Sequence, residues 1–262
     1  MNGMIIGQFI PGDSFWHRID PRAKIILAST FIISCFLIHS WIFMFVMVGL
    51  ELIAMLLTKL PYKFFINNLK PILFFVFITV FFQMLFTTEG HLILNLGFFQ
   101  ITDIGLSRGL FMALRLIIVV IVSMLLTSMT KPSDLTLALE SLLKPLKKMK
   151  FPVSELALMT SIALRFVPTL FGETQKILKS QASRGVDITE GKFKEKIAQL
   201  ISLLVPLFIL SFRRSDELAN AMEVRGYIPG KFRTSINLLR WKQKDTFIIV
   251  LSAIILTASI IF

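Results

Sequence analysis

The sequence predicts an all-α integral membrane protein, with about five transmembrane helices and a cytoplasmic module of long coupling helices. Three observations carry that prediction. The 262 residues are 55% hydrophobic, include 26 Phe and have a mean hydropathy of +0.77. Charged residues make up only 17%, against about a quarter in a soluble domain. Apolar runs near the roughly 20 residues that a bilayer core requires recur along the chain. Finally, 28 Lys and Arg against 16 Asp and Glu give a net charge of +12, and in a membrane chain these cations read first as topology markers rather than as a nucleic-acid surface. The single cysteine, Cys35, excludes an internal disulfide framework and a Cys-ligated metal site. No cleaved signal is expected, because Pro11, Asp13, His17, Arg18, Asp20 and Pro21 stand where its apolar core would lie.

The first two helices come from one stretch, Ile25 to Leu57, too long for a single span and interrupted by His39, Ser40 and Trp41. Splitting it gives helices over about 24–39 and 41–58 with a tight turn between them. Asp20-Pro21-Arg22 stands ahead of the first as an interfacial anchor, with Pro21 at the first helical position. A third span covers 71–86, entered through Lys70 and Pro71; its Phe74, Phe75, Phe77, Phe81 and Phe82 make a lipid-facing or packing surface that can also serve as an adaptable face for a partner. A fourth covers about 109–129 and a last one 246–262. Glu51 and Arg115 are intramembrane charges; a mutual structural pairing and an ion path both remain open, and no transport is assigned to them.

Charge placement orients these spans. Arg18, Arg22 and Lys24 precede the first helix, and Lys59, Lys63 and Lys70 separate the second from the third. No Lys or Arg occurs from Pro71 to Ser107, and residues 131–244 hold 20 of the 28 basic residues. Cations in short loops stay in the cytoplasm. The N-terminus and 131–244 are therefore expected inside, and the C-terminus outside. The resulting division is a membrane domain over 1–130, a cytoplasmic module over 131–244 and a final transmembrane helix over 245–262.

The inside segment reads as helix throughout. Leu135, Leu139, Leu142, Leu143 and Leu146 recur at helical spacing until Pro145 bends or ends the run. A second helix starts near Pro152 and runs toward Arg184-Gly185; a third runs from about Gly191 to Arg225-Gly226. Both have apolar first parts, 153–171 and 197–212. Glu155 and Arg165 in the one, and the 16-residue length and Pro206 of the other, favour helices lying at the cytoplasmic interface over a transmembrane pair.

Both long helices end alike, in Ser183-Arg184-Gly185 and Val224-Arg225-Gly226. A single Arg-Gly is simply a helix stop, since Gly takes positive φ freely and Arg complements the negative end of the helix dipole. Two in one segment point further. A guanidinium fork at a helix tip suits a carboxylate in a partner's groove, and the Gly lets that partner approach.

These motifs resemble the transmembrane T component of energy-coupling factor transporters, the EcfT family that includes the CbiQ-like cobalt-transport membrane proteins. Pro11-Gly12-Asp13-Ser14, His17-Arg18 and Asp20-Pro21-Arg22-Ala23-Lys24 resemble its opening, Ala163 to Thr169 (ALRFVPT) its central helix, and Ala219 to Tyr227 (ANAMEVRGY) its second Arg-Gly signature. The usual Ala-Arg-Gly is replaced by Ser183-Arg184-Gly185 and Val224-Arg225-Gly226, which touches the packing before each Arg more than its docking role. The resemblance implies a complex with two cytoplasmic ABC-type, EcfA-like ATPases that bind ATP and Mg, one on each signature end. It further implies an S component in the lipid bilayer that captures a vitamin or metal ion.

The chain itself carries no Walker-type phosphate loop, since Gly191-Lys192 lacks the upstream glycine and the following hydroxyl. His17, His39 and His91 lack metal-ligand spacing. A non-catalytic scaffold without cofactor or metal is therefore expected. The alternative, a secondary transporter or channel acting alone, ought to place several polar groups near the bilayer midplane, and few occur here. A membrane enzyme ought to cluster His, Asp or Glu near an interface.

Overall fold

The computed structural model describes residues 9–87, 89, 91–95, 100–149, 151–185, 193–230, 239 and 241–261. The chain forms two compact units, Met1–Ala138 with Leu238–Phe262, and Leu139–Asn237.

The first unit contains α1 (Pro21–Leu37), α2 (Trp41–Thr58), α3 (Tyr62–Phe86), α4 (Asp103–Met129), the start of α5 (Pro132–Leu143) and α8 (Gln243–Ile261), its label following chain order. Helix α1 begins where it does because Pro21 pre-sets a helical φ and the Asp20 carboxylate accepts from the Arg22 amide at 2.9 Å. It stops at Leu37, where Ile38 turns extended. Lys59 takes the left-handed conformation, φ 58°, to end α2. Thr102 caps α4, its hydroxyl accepting from the Gly105 amide and donating to Thr87 O. Between α3 and α4 a short antiparallel hairpin pairs β1 (Leu92–Asn95) with β2 (Gln100–Thr102), a local addition to the helical fold class.

The core of this unit lies among α1, α2 and α4, where Phe31, Cys35, Ile38, Met44, Met47 and Ile118 are buried together. A smaller cluster, Ile19, Ala23 and Ile248, joins α1 to α8. Helices α3 and α4 run antiparallel through Gly105 and Gly109, small residues four apart that let helix backbones approach in lipid. A Cβ at 105 would meet Thr102 Oγ1 at 2.9 Å and Thr87 Cβ at 3.3 Å; one at 109 would meet Val80 at 3.4 Å.

The second unit contains the rest of α5, a 3-10 turn over Lys144–Met149, α6 (Val153–Ser183) and α7 (Phe193–Val224). The change from α-helix to 3-10 turn falls at Pro145, whose ring is incompatible with an unbroken helix there.

The structure corrects several sequence expectations. Helix α3 begins nine residues before Pro71, which lies inside it. A proline removes one backbone donor, a loss that membrane helices tolerate. Helix α4 begins at Asp103 instead of 109, its start fixed by the Thr102 cap. Among the described helices six are long and apolar enough to cross a membrane, namely α2, α3, α4, α6, Lys196–Val224 within α7, and α8. The expected five included α1, which at 17 residues is just shorter than these, and left out α6 and α7. Pro168 and Pro206 lie inside those two helices, and their apolar windows hold no more than two charges.

Candidate functional site

Both Arg-Gly ends place the glycine at positive φ, its amide bonded three residues back. At the end of α6 the Arg184 amide bonds to Gln181 O at 3.0 Å and the Gly185 amide to Ala182 O at 3.0 Å, with Gly185 at φ +81°. At the end of α7 the Gly226 amide bonds to Glu223 O at 2.8 Å and the Tyr227 amide to Met222 O at 2.9 Å, with Gly226 at φ +76°. The α7 end is a Schellman stop, and at both ends glycine takes a positive φ at which a side chain is strained. Among the described residues, a Cβ at either glycine would meet no atom within 4 Å. Backbone conformation therefore requires both glycines, while the space beyond them is open.

The side chains around these glycines face outward. Ser183, Arg184, Val224 and Arg225 are exposed, Val224 at 88% despite being aliphatic. Among the described residues no ion pair holds either arginine. Arg165, on the same helix as Arg184, is likewise exposed and outside any ion pair among these residues.

Two contacts set how α6 and α7 run. Glu173 Oε1 accepts from Arg214 at 3.2 Å and from Lys176 at 3.3 Å, and Gln181 Nε2 donates to Ser202 O at 3.4 Å. Going up the chain in α6 thus means going down it in α7, so the helices are antiparallel. Arg184 and Arg225 consequently sit at opposite ends of the pair, whose helices are about 45 Å long. Their apolar faces are bare: Met159, Phe171, Phe208 and Phe212 are all exposed, and nothing in the α7 apolar window is buried.

In the first unit, helix termini are tied together by charged side chains. Asp20 caps α1, and Arg22 Nε lies 3.9 Å from the same carboxylate. Asp245 accepts from the Asp20 amide at 2.9 Å and from the Lys242 amide at 2.8 Å, joining the starts of α1 and α8. The Lys24 ammonium donates to Met129 O at 2.9 Å and Thr130 Oγ1 at 3.3 Å, closing the end of α4. The first N-terminal motif forms a knot: Ser14 Oγ lies 2.7 Å from His17 Nδ1, and His17 Nε2 donates to Ile10 O at 2.8 Å. Because a carbonyl can only accept, Nε2 carries the proton there.

Arg115 and Glu51 do not pair. Arg115 is buried and donates to Cys35 O at 3.0 Å and Ile38 O at 2.9 Å, with its guanidinium 5.4 Å from the Phe36 ring centre and 5.2 Å from that of Phe111. It caps the last carbonyls of α1. Sequence reading could not find this role, because the carbonyls lie 80 and 77 positions away. The role of Asp245 was not visible either, since Lys242-x-x-Asp245 lacks the leading Ser or Thr of a capping box and its other partner, the Asp20 amide, lies 225 positions away. No group of three or more His, Cys, Asp or Glu residues able to hold a metal occurs among the described residues.

The fold thus defines a multi-pass helical membrane protein with a separate unit whose two long helices end in exposed arginines. The family described as CbiQ, Cobalt transport protein, matches residues 12–236. Proteins named energy-coupling factor transporter transmembrane protein EcfT are 46% identical in Listeria innocua, over 97% of this chain and 96% of that protein, and 46% identical in Bacillus subtilis, over 100% and 98%. The relative of that name in Lactococcus lactis is 42% identical over 100% and 98%. This chain belongs to the EcfT/CbiQ-like family of transmembrane components of energy-coupling factor transporters.

Proposed function

We propose that this chain is the non-catalytic energy-coupling scaffold of an importer that takes up a vitamin or metal ion. Two cytoplasmic ABC-type ATPases, which bind ATP and Mg, grip its Arg184 and Arg225 ends. A membrane-embedded S component rests on its apolar helices. The observation that carries this reading is the matched pair of exposed Arg-Gly ends at opposite ends of one antiparallel helix pair. A carboxylate in each ATPase can take the fork of one guanidinium in a bidentate pair. Val224 adds an apolar contact beside one fork.

In this mechanism ATP binding draws the ATPases together and displaces the helix ends they hold. Each tip terminates a stiff helix, so the displacement reaches the apolar parts of α6 and α7. The S component rearranges against that surface and releases its substrate inward. Such coupling requires the tips to interact differently with the open and closed ATPase states.

The first unit supports an orientation. The Asp20–Asp245 and Lys24–Met129 contacts bring the starts of α1 and α8 and the end of α4 to one end, which carries Arg18, Arg22, Lys24, Lys131, Lys242 and Lys244. That end faces the cytoplasm by the positive-inside rule. A second reading, in which α6 and α7 cross the membrane as a hairpin, is favoured by the length and apolarity of both helices. It would put Arg184 and Arg225 on opposite faces and leave one of them without an ATPase.

Affinity isolation of the tagged chain from native membranes tests the scaffold. Two nucleotide-binding subunits should be recovered with the wild type. Arg184→Ala or Arg225→Ala should weaken one ATPase contact by about 3 kcal/mol or more, because a buried carboxylate loses its partner. The double substitution should reach the membrane without ATPases and without uptake. Normal assembly and uptake in the double variant would contradict the proposal.

A further inference from the structure

The first unit contains a cavity of about 240 Å³ among α1, α2, α4 and α8. That is larger than the roughly 150 Å³ apolar cavity that admits benzene in an engineered protein. Leu27, Phe31, Leu50, Leu126 and Ile255 contribute to a wall that is almost wholly apolar. Glu51 and Lys24 are the charged exceptions, and Glu51 is the one left unpartnered. Its residue is only 4% exposed, it lines the cavity, and its Oε1 is buried with no hydrogen-bond partner among the described residues. Glu51 lies seven positions before the end of α2, about 10 Å along the axis.

We infer that this cavity is a binding site for a small lipid-soluble amine, whose apolar body fills the space and whose ammonium donates to Glu51. A buried carboxyl calls for a hydrogen-bond partner, and its ionised form for a counter-charge as well. Lys24, the other charged residue on the wall among the described residues, makes no ion pair with it, its ammonium donating to Met129 O and Thr130 Oγ1 instead. An ammonium entering from the bilayer supplies both. The site uses neither Arg-Gly end, so it stands apart from ATPase docking.

Trp16 lines the same cavity and reports on it. The full-length chain carrying Trp41→Phe and Trp241→Phe, reconstituted in phosphatidylcholine vesicles, would have Trp16 as its sole tryptophan. Quenching of that residue is compared among 4-bromophenethylamine, 3-(4-bromophenyl)propanoic acid and neutral 1-bromo-4-propylbenzene. The amine should quench at a concentration about tenfold below either of the others, the size of one charge-assisted hydrogen bond. Glu51→Gln should erase that advantage, and Ala54→Leu, which fills the cavity and keeps the carboxyl, should weaken quenching by the amine. Equal quenching by the three probes, a preference for the acid, an amine preference that survives Glu51→Gln, or undiminished quenching in Ala54→Leu would overturn the inference. If Glu51→Gln does not fold, the Ala54→Leu result decides.

Discussion

Arg115 serves α1 as a cap borrowed from a distant part of the chain. The carbonyls of Cys35 and Ile38 end a helix whose C-terminal side offers no glycine, and the fork of Arg115 satisfies both. Arg115→Leu should orphan two buried acceptors, each at about 1–3 kcal/mol. A markedly lower melting temperature in detergent, followed by tryptophan fluorescence, would show it; Arg115→Lys, with a compact charge in place of a fork, should fall between. Gly185 and Gly226 make a different residue-scale prediction, since open space surrounds both and only positive φ holds them as glycine. Gly226→Ala should cost about 1–2 kcal/mol of local strain, fraying the end of α7 as read by amide exchange, with the melting temperature of the chain nearly unchanged. The composition and spacing of the two Arg-Gly ends were legible in the sequence because helix stops are local. Arg115 was legible only as an anomaly, a charge among apolar residues, because its partners come from another helix.

At the scale of elements, the contact between α3 and α4 depends on small residues. Gly105→Val would drive a branched side chain into Thr102 and Thr87, breaking the cap of α4 as well as the helix contact. Gly109→Ala should be tolerated, because its added Cβ makes contacts at an ordinary 3.4 Å. Purified yield and thermal unfolding of the two variants should differ clearly. The Glu173–Arg214 pair between α6 and α7 is partly exposed, with side chains 20% and 31% accessible, so its coupling should be within about 1 kcal/mol. A double-mutant cycle on amide exchange would measure it. Apolar runs revealed the existence of the membrane helices, and His39-Ser40-Trp41 correctly divided α1 from α2. Helix starts were harder: Pro71 looks like a boundary but is internal to α3, and the start of α4 depends on Thr102 meeting Thr87 fifteen residues back. The apolar run from Thr246 placed the last span close to α8, which starts at Gln243, whereas the tie from Asp245 to Asp20 spans 225 positions and left no local trace.

At the scale of the molecule, coupling depends on which way α6 and α7 lie. Composition alone permits them to cross the bilayer, yet their antiparallel arrangement then separates the two arginines by a membrane. Lying along the cytoplasmic interface keeps both ends on one side, where two ATPases can hold them. Cysteines placed beside the arginines distinguish the two arrangements, and the native Cys35 is fully buried and should stay silent. Ser183→Cys and Val224→Cys, treated with a membrane-impermeant maleimide, should both resist labelling in spheroplasts. Both should label in inverted vesicles stripped of peripheral proteins, and both should be shielded again when the ATPase subunits are restored. Labelling of either position from the outside, or unchanged labelling of both with the ATPases in place, would contradict the docking account.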